Sequence, residues 1–257
     1  MTSRVALLLV MVVCLLGTQA RAEDLVTALS SDEVSIQSNF TGTEIVIFGQ
    51  ISRDLNTIAR PGVYDLAITV EGPSQDITTR RKGRFLGVWV NREYETFQGV
   101  PSFYALASTR SVGELGDRDL LDEYAIGLHH LNLAVSGHSG VPLSERDDFR
   151  NAFLRLRQQQ GLYSERPQSI EFLTETMFRT KVPLPANIPV GQYKVKSYLL
   201  QDGGLLSAKE SELTVAKSGF EQVTYNLANN YSLIYGLLAV TLAIFTGWLA
   251  GVIFRKD

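Results

Sequence analysis

Residues 61–73 read PGVYDLAITVEGP, with Tyr64, Leu66, Ile68 and Val70 at every second position between Pro61-Gly62 and Gly72-Pro73. Side chains on a strand alternate between faces. The spacing therefore predicts a strand carrying these four on one face, and the Pro-Gly and Gly-Pro pairs predict turns at its ends. The same pattern continues on both sides. Val34 and Ile36 alternate with polar residues, and Glu44-Ile45-Val46-Ile47-Phe48 is a β-branched run between Gly42 and Gly49. Arg84 to Asn91 is apolar on both faces and reads as a central strand. Strand character returns over 170–182, 192–200 and 211–215. Short strands at this spacing predict a mainly β fold, an immunoglobulin-like β-sandwich. Pro61-Gly62-Val63-Tyr64 is echoed by Val190-Gly191-Gln192-Tyr193, each opening an alternating strand. In such sandwiches a tyrosine hydroxyl bonds back to nearby backbone, and two copies fit either one large sandwich or two lobes.

Between the β regions the period changes. Phe149, Ala152, Phe153 and Leu156 fall on one helical face, after Ser144, Glu145, Asp147 and Asp148 and before Arg155, Arg157 and Gly161. Cap, acidic start, basic end and glycine stop predict a helix of about four turns. Leu121, Tyr124, Ala125 and Leu128 predict a second, shorter one.

Both ends are apolar. Arg4 precedes an uncharged run from Val5 to Leu16, and Ala20 and Ala22 stand in an A-x-A arrangement. These features predict a secretory signal peptide cleaved after Ala22. Residues 233–254 carry no charge, with Tyr231 and Tyr235 at one end and Trp248 and Phe254 toward the other. Arg255-Lys256-Asp257 follows, so the pattern predicts one transmembrane helix with the bulk periplasmic and the C-terminus cytoplasmic, in a bacterial inner membrane. The organisation expected is a signal peptide over 1–22, a β-sandwich region over 23–110, a helical insert over 111–161 and a second β region over 162–218. A membrane-proximal helix over 219–232, the span over 233–254 and a tail over 255–257 complete it.

The whole chain has 257 residues and a net charge of −3. Setting aside Arg4, Arg21, Arg255, Lys256 and Asp257 leaves 20 basic and 26 acidic residues, so the central segment carries −6. That balance excludes nucleic acid as a partner. The single cysteine, Cys14, lies in the apolar N-terminal run, so neither a disulfide framework nor a cysteine metal site is available. The sequence has no G-x-S-x-G, H-E-x-x-H, Walker or G-x-G-x-x-G motif, and no enzyme activity or cofactor is expected from it.

Four clusters remain. His129, His130 and His138 are the only histidines, with Asp119, Asp122 and Glu123 upstream; they fit either a periplasmic metal or a helix end favoured by the dipole. Arg80, Lys82 and Arg84 share one face of a strand and fit either an anion clamp or a charged, solvated edge. Phe85, Trp89, Tyr94, Phe97, Phe103 and Tyr104 follow closely, as sandwich core or as a binding face. Ala239, Ala243, Gly247 and Gly251 recur every four residues in the span, a stripe on which another helix can pack.

Two stretches carry a resemblance: SSDEVSIQSNFTGTEIVIFGQI, residues 30–51, and RRKGRFLGVWVNREYETFQGVPSFYALASTR, residues 80–110. With the apolar ends, the full length resembles a family of predicted transmembrane proteins of the Alphaproteobacteria. The resemblance implies location and topology rather than an activity. It also implies a place beside transporters resembling sulfite exporters. The expectation is therefore an accessory or assembly partner of a polytopic transporter, with self-association through the span as an option. The alternative is a periplasmic module that binds an anion through Arg80, Lys82 and Arg84 or a metal through the histidines.

Overall fold

The computed structural model describes residues 23–53, 63–136 and 143–253. The signal-peptide reading over 1–22, His138, Phe254 and the basic tail lie outside the described residues. The described residues form thirteen strands: β1 (Glu23–Leu29), β2 (Glu33–Ile36), β3 (Gly42–Arg53), β4 (Asp65–Glu71), β5 (Ser74–Phe85), β6 (Val88–Pro101) and β7 (Tyr104–Ser108), then β8 (Ala134–Val135), β9 (Tyr163–Arg166), β10 (Ile170–Phe172), β11 (Met177–Pro185), β12 (Gly191–Gln201) and β13 (Gly204–Lys217). The α-helices are α1 (Arg118–Glu123), α2 (Arg146–Gln159), α3 (Phe220–Asn230) and α4 (Ser232–Ile253).

The strands form a mainly β, sandwich-like arrangement. A six-stranded sheet has the order β2-β13-β12-β4-β7-β9, and a four-stranded sheet has the order β1-β3-β11-β10. Strand β1 packs against β12 and β13, and β11 against β7, so the second sheet covers one face of the first. Alternation sets that contact: Phe178, Thr180, Val182 and Leu184 are buried on β11, with the intervening residues exposed. Gly49 on β3 lies between β1 and β11 in the four-stranded sheet, where a Cβ would lie 2.4 Å from the Val26 carbonyl oxygen and 2.7 Å from the Phe178 ring.

Strand β4 holds the expected period, but both of its faces are buried, from Asp65 through Val70. Its second face is covered by the segment that contains α1. There the Tyr104 hydroxyl donates to the Ala125 carbonyl at 2.9 Å and accepts from the Gly127 amide at 2.8 Å. The Tyr198 hydroxyl donates to the Tyr124 carbonyl at 3.3 Å, with the two rings 5.6 Å apart. Asp65 is buried on that face and is held by Arg110, whose Nε donates to Oδ1 at 2.7 Å. Residues with small or polar side chains on this face thus face protein instead of water.

The two tyrosine-led strands, β4 and β12, are hydrogen-bonded neighbours in the one six-stranded sheet, with Val195 opposite Val70. The Tyr193 hydroxyl donates to the Pro189 carbonyl at 2.5 Å, the local backbone bond expected of it. Tyr64 instead reaches the Glu23 carboxylate at 3.1 Å.

Three sequence expectations need correction. The apolar run over 84–91 is no central strand: it turns at Leu86-Gly87, and Phe85, Leu86, Val88 and Trp89 are exposed. A hairpin tip and a buried strand have the same composition, and one Gly in the run was the only local sign of the turn. The shorter helix stops at Glu123, because Ala125 adopts φ +52° and Gly127 φ +113°, and Leu128–His130 forms a separate 3-10 turn. The longer helix begins at Arg146 after a 3-10 turn over Leu143–Glu145, with no side-chain cap from Ser144. Its acidic Asp147 and Asp148 and basic Arg157 still complement the helix dipole as read.

Candidate functional site

The feature that stands out from the core is an arm made of β5 and β6. Pairing runs without a break from the six-stranded sheet into it: Glu71 opposite Tyr104, the Gly72 amide to the Phe103 carbonyl at 2.8 Å, the Ser102 amide to the Pro73 carbonyl at 2.9 Å, then Ser74 opposite Pro101. The ladder ends at Phe85 opposite Val88. At about 3.3 Å per residue, the twelve residues of β5 extend roughly 36 Å.

The root of the arm is tied down. Strand β8 pairs with β6 at Phe97 and Gln98. Phe97 stacks on Phe153 of α2 at 5.0 Å, Phe153 meets Tyr163 edge-on at 5.7 Å, and Tyr163 lies 6.1 Å from Tyr104. The Tyr163 hydroxyl donates to the Pro101 carbonyl at 2.6 Å. This chain of rings joins arm, helix and sheet. Half of the six aromatic residues read from the sequence, Phe97, Phe103 and Tyr104, are core. Phe85, Trp89 and Tyr94 are exposed.

Above the root the two faces of the arm differ. Arg81 ion-pairs with Glu93 across the ladder and with Glu145 next to α2, and its guanidinium lies 5.2 Å from the Phe149 ring centre. Both carboxylates hold the Arg81 guanidinium above its ordinary pKa, Glu145 foremost. On the opposite face Arg80, Lys82 and Arg84 alternate as expected, and their cross-strand partners are Tyr94, Asn91 and Trp89. All six are exposed. A basic and an aromatic residue are thus directly opposite in register at Arg80–Tyr94 and Arg84–Trp89. Side chains two apart on a strand are about 7 Å apart, so the three cations form a row along β5.

The turn is unusual. Leu86 has φ +46° and Gly87 φ +84°, so both central residues occupy the left-handed region, the geometry of a type I′ hairpin turn. Asn or Asp is the ordinary residue at the first position; a leucine there is strained, by about 1 kcal/mol or more. Leu86 is also 89% exposed. Removing Phe85, Leu86, Val88 and Trp89 from water would release about 1.5–3 kcal/mol for each side chain fully covered.

The anchor leaves the domain at the same end as the arm. Strands β4 and β13 both pair antiparallel with β12 and so run in the same direction. Strand β4 ends at Glu71, where the arm starts, and β13 ends at Lys217, just before α3 and α4. Helix α4 has 22 residues, about 33 Å, enough to cross a hydrocarbon core of about 30 Å, and none of it is buried. The small-residue stripe of Ala239, Ala243, Gly247 and Gly251 lies on it, and a Cβ at either glycine would meet nothing within 4 Å.

A family described as "Putative transmembrane protein (Alph_Pro_TM)" matches residues 24–256. The chain belongs to this family. With α4 as the candidate span near its C-terminus, the family member is a single-pass transmembrane protein with a β-rich domain. No curated protein matches it. Among solved structures, the sporulation control protein Spo0M of Bacillus subtilis is similar over 82% of this chain at 11% identity and a TM-score of 0.30. The match spans 56% of the Spo0M chain.

Of the three histidines, His129 and His130 lie among the described residues, on the 3-10 turn over Leu128–His130. His130 Nδ1 lies 2.6 Å from Asp122 Oδ1, and this bond keeps the Asp122 carboxyl below its usual range. His129 is exposed, and its carbonyl accepts from Arg150 at 2.8 Å. His138 lies outside the described residues. Among the described residues no group of three or more His, Cys, Asp or Glu could hold a metal ion. The exposed arm was missed by sequence reasoning as an arm, although its cations and aromatics were singled out.

Proposed function

We propose that this protein is a non-enzymatic accessory or assembly partner of a polytopic membrane transporter. In this reading its β domain lies in the periplasm and its C-terminus in the cytoplasm of a bacterial inner membrane. The observation that carries the reading is the bare α4, which joins a folded β domain through α3 and presents Ala239, Ala243, Gly247 and Gly251 with nothing against them. Small residues let two helices approach closely where lipid supplies no hydrophobic drive. The β domain, held within one short helix of the membrane, is then placed over the partner's periplasmic mouth. Export of sulfite or a related sulfur anion is the transport reaction this reading favours.

Purification from mild detergent at native expression tests it. A polytopic protein is expected to accompany the chain, and Gly247→Ile with Gly251→Ile to release it. A chain that runs alone overturns the proposal; a chain that pairs only with itself replaces it by self-association. The alternative, an anion-binding module, has the shared exposed face of Arg80, Lys82 and Arg84 in its favour. Calorimetry with sulfite, sulfate and phosphate separates the two.

A further inference from the structure

We propose that the β5–β6 arm dips into the bilayer that holds the chain's own span, with Phe85, Leu86, Val88 and Trp89 in the interface of the adjoining leaflet and Arg80, Lys82 and Arg84 on lipid phosphates. The inference rests on the single-span reading and not on the transporter partner.

Four observations converge on it. Arm and anchor leave the six-stranded sheet at one end, since β4 and β13 run in the same direction. The arm reaches roughly 36 Å from that end, whereas α3, the element between Lys217 and the span, covers only about 16 Å. The bilayer surface is therefore within the arm's reach.

The chemistry changes along the arm in the order a bilayer interface changes. From the root to Arg81 one face of the arm is packed on α2; Arg80, Lys82 and Arg84 alternate on the other face; the tip beyond them is apolar. Tryptophan and tyrosine concentrate at the headgroup level, and arginine and lysine lay their stems on apolar neighbours while the charged heads stay with phosphate. Arg84 opposite Trp89 and Arg80 opposite Tyr94 supply both kinds of group as cross-strand pairs. The domain as a whole is acidic, so this basic face is a local inversion of charge, complementary to an anionic leaflet.

Finally, Leu86 breaks a local rule. A strained, 89% exposed leucine at the turn works against folding in water. Asparagine would satisfy the turn without exposing an apolar side chain, so what leucine adds is a group for an apolar environment. A closed hairpin also suits a shallow position, because its two strands satisfy each other's backbone groups as they leave water.

The full chain carries two tryptophans, Trp89 and Trp248, so Trp248→Phe leaves Trp89 as the only tryptophan. This variant is reconstituted alone into vesicles of phosphatidylcholine with or without phosphatidylglycerol, and into vesicles of lipids brominated near the headgroup. Trp89 emission is expected to be blue-shifted, quenched by the brominated lipid and protected from iodide. The effect should grow with phosphatidylglycerol, and Lys82→Gln or Arg84→Gln should each shift the docked-to-undocked ratio about fivefold. Emission that iodide quenches and brominated lipid does not overturns the proposal. Emission exposed in pure lipid but shielded in native membranes also overturns it, and assigns the tip to a protein partner. Equal quenching with and without anionic lipid overturns the assignment of the cations to phosphates.

Discussion

The guanidinium of Arg81 lies 5.2 Å from the centre of the Phe149 ring and ion-pairs with both Glu93 and Glu145. One side chain thus fastens the middle of the arm to α2. The pairs are half exposed, so their contribution to global stability is modest. Arg81→Ala is expected to lower global stability only slightly, since it removes an exposed cation–π contact and a surface ion-pair network. The larger effect is local. Amide hydrogen exchange should quicken over residues 77–97 while β12, in the centre of the sheet, stays protected. Equal loss of protection in β12 would mean that Arg81 supports the whole fold.

Phe153 has the opposite character, because it sits between Phe97 and Tyr163 and is 2% exposed. Phe153→Ala opens a cavity where arm, helix and sheet meet. The expected cost is about 3–5 kcal/mol, read as a fall in the urea midpoint with little change in slope. A loss under about 1 kcal/mol would show that α2 is not part of the cooperative core.

The contrast between these two residues bears on how much the sequence revealed. The period of Tyr64, Leu66, Ile68 and Val70 identified a strand because alternation is a local property of the chain. That β4 is covered on its second face as well was not legible there. The cover comes from Tyr104, Tyr124 and Tyr198, and from an Arg110–Asp65 pair 45 residues apart in sequence. The arm was misread for a related reason. Val88-Trp89-Val90 has the composition of a buried strand, and only the left-handed backbone at Leu86-Gly87 distinguishes the two cases. The alternation of Arg80, Lys82 and Arg84 was legible, again because it is local. The anchor was legible outright, since a span needs only length and the absence of charge.

Gly49 tests how closely β1, β3 and β11 approach one another within the four-stranded sheet. A methyl group there would meet the Val26 carbonyl at 2.4 Å and the Phe178 ring at 2.7 Å. The backbone atom cannot yield as a flexible side chain would. Gly49→Ala is expected to destabilise the domain by about 1–3 kcal/mol despite the gain in strand propensity, measured by chemical unfolding. A neutral or stabilising result would mean that the strands on either side of Gly49 leave more room than these distances give.

Tyr104, Tyr163, Tyr193 and Tyr198 are buried phenols, and burial pushes each hydroxyl above the usual tyrosine range. In the unfolded chain all four ionise near pH 10, roughly the model-peptide value. Above that pH the unfolded state binds fewer protons than the native one, so stability falls as pH rises. Below it both states are protonated and the contribution is constant. Alkaline unfolding is therefore expected to set in near pH 10, with these four groups adding up to four released protons. Tyr163→Phe should flatten the dependence by up to one proton while lowering the neutral baseline by about 1 kcal/mol through the lost bond to Pro101. Unfolding free energies between about pH 8 and pH 11 measure both effects. An unchanged slope in the variant would place the alkaline loss on other groups.

Leu86 separates folding from use of the arm. Asparagine fits the left-handed position that Leu86 occupies at φ +46°, and Gly87 already suits the second one. Leu86→Asn should therefore raise stability by about 1 kcal/mol, since it relieves strain and deletes no buried contact. At the same time it removes the most exposed apolar side chain of the arm. With Trp89 as the sole tryptophan in phosphatidylglycerol vesicles, the variant should show weaker quenching by brominated lipid and greater access to iodide. The two readouts move in opposite directions only if the leucine is kept for an apolar partner. A variant that loses stability and keeps its lipid contact would mean that Leu86 serves the fold.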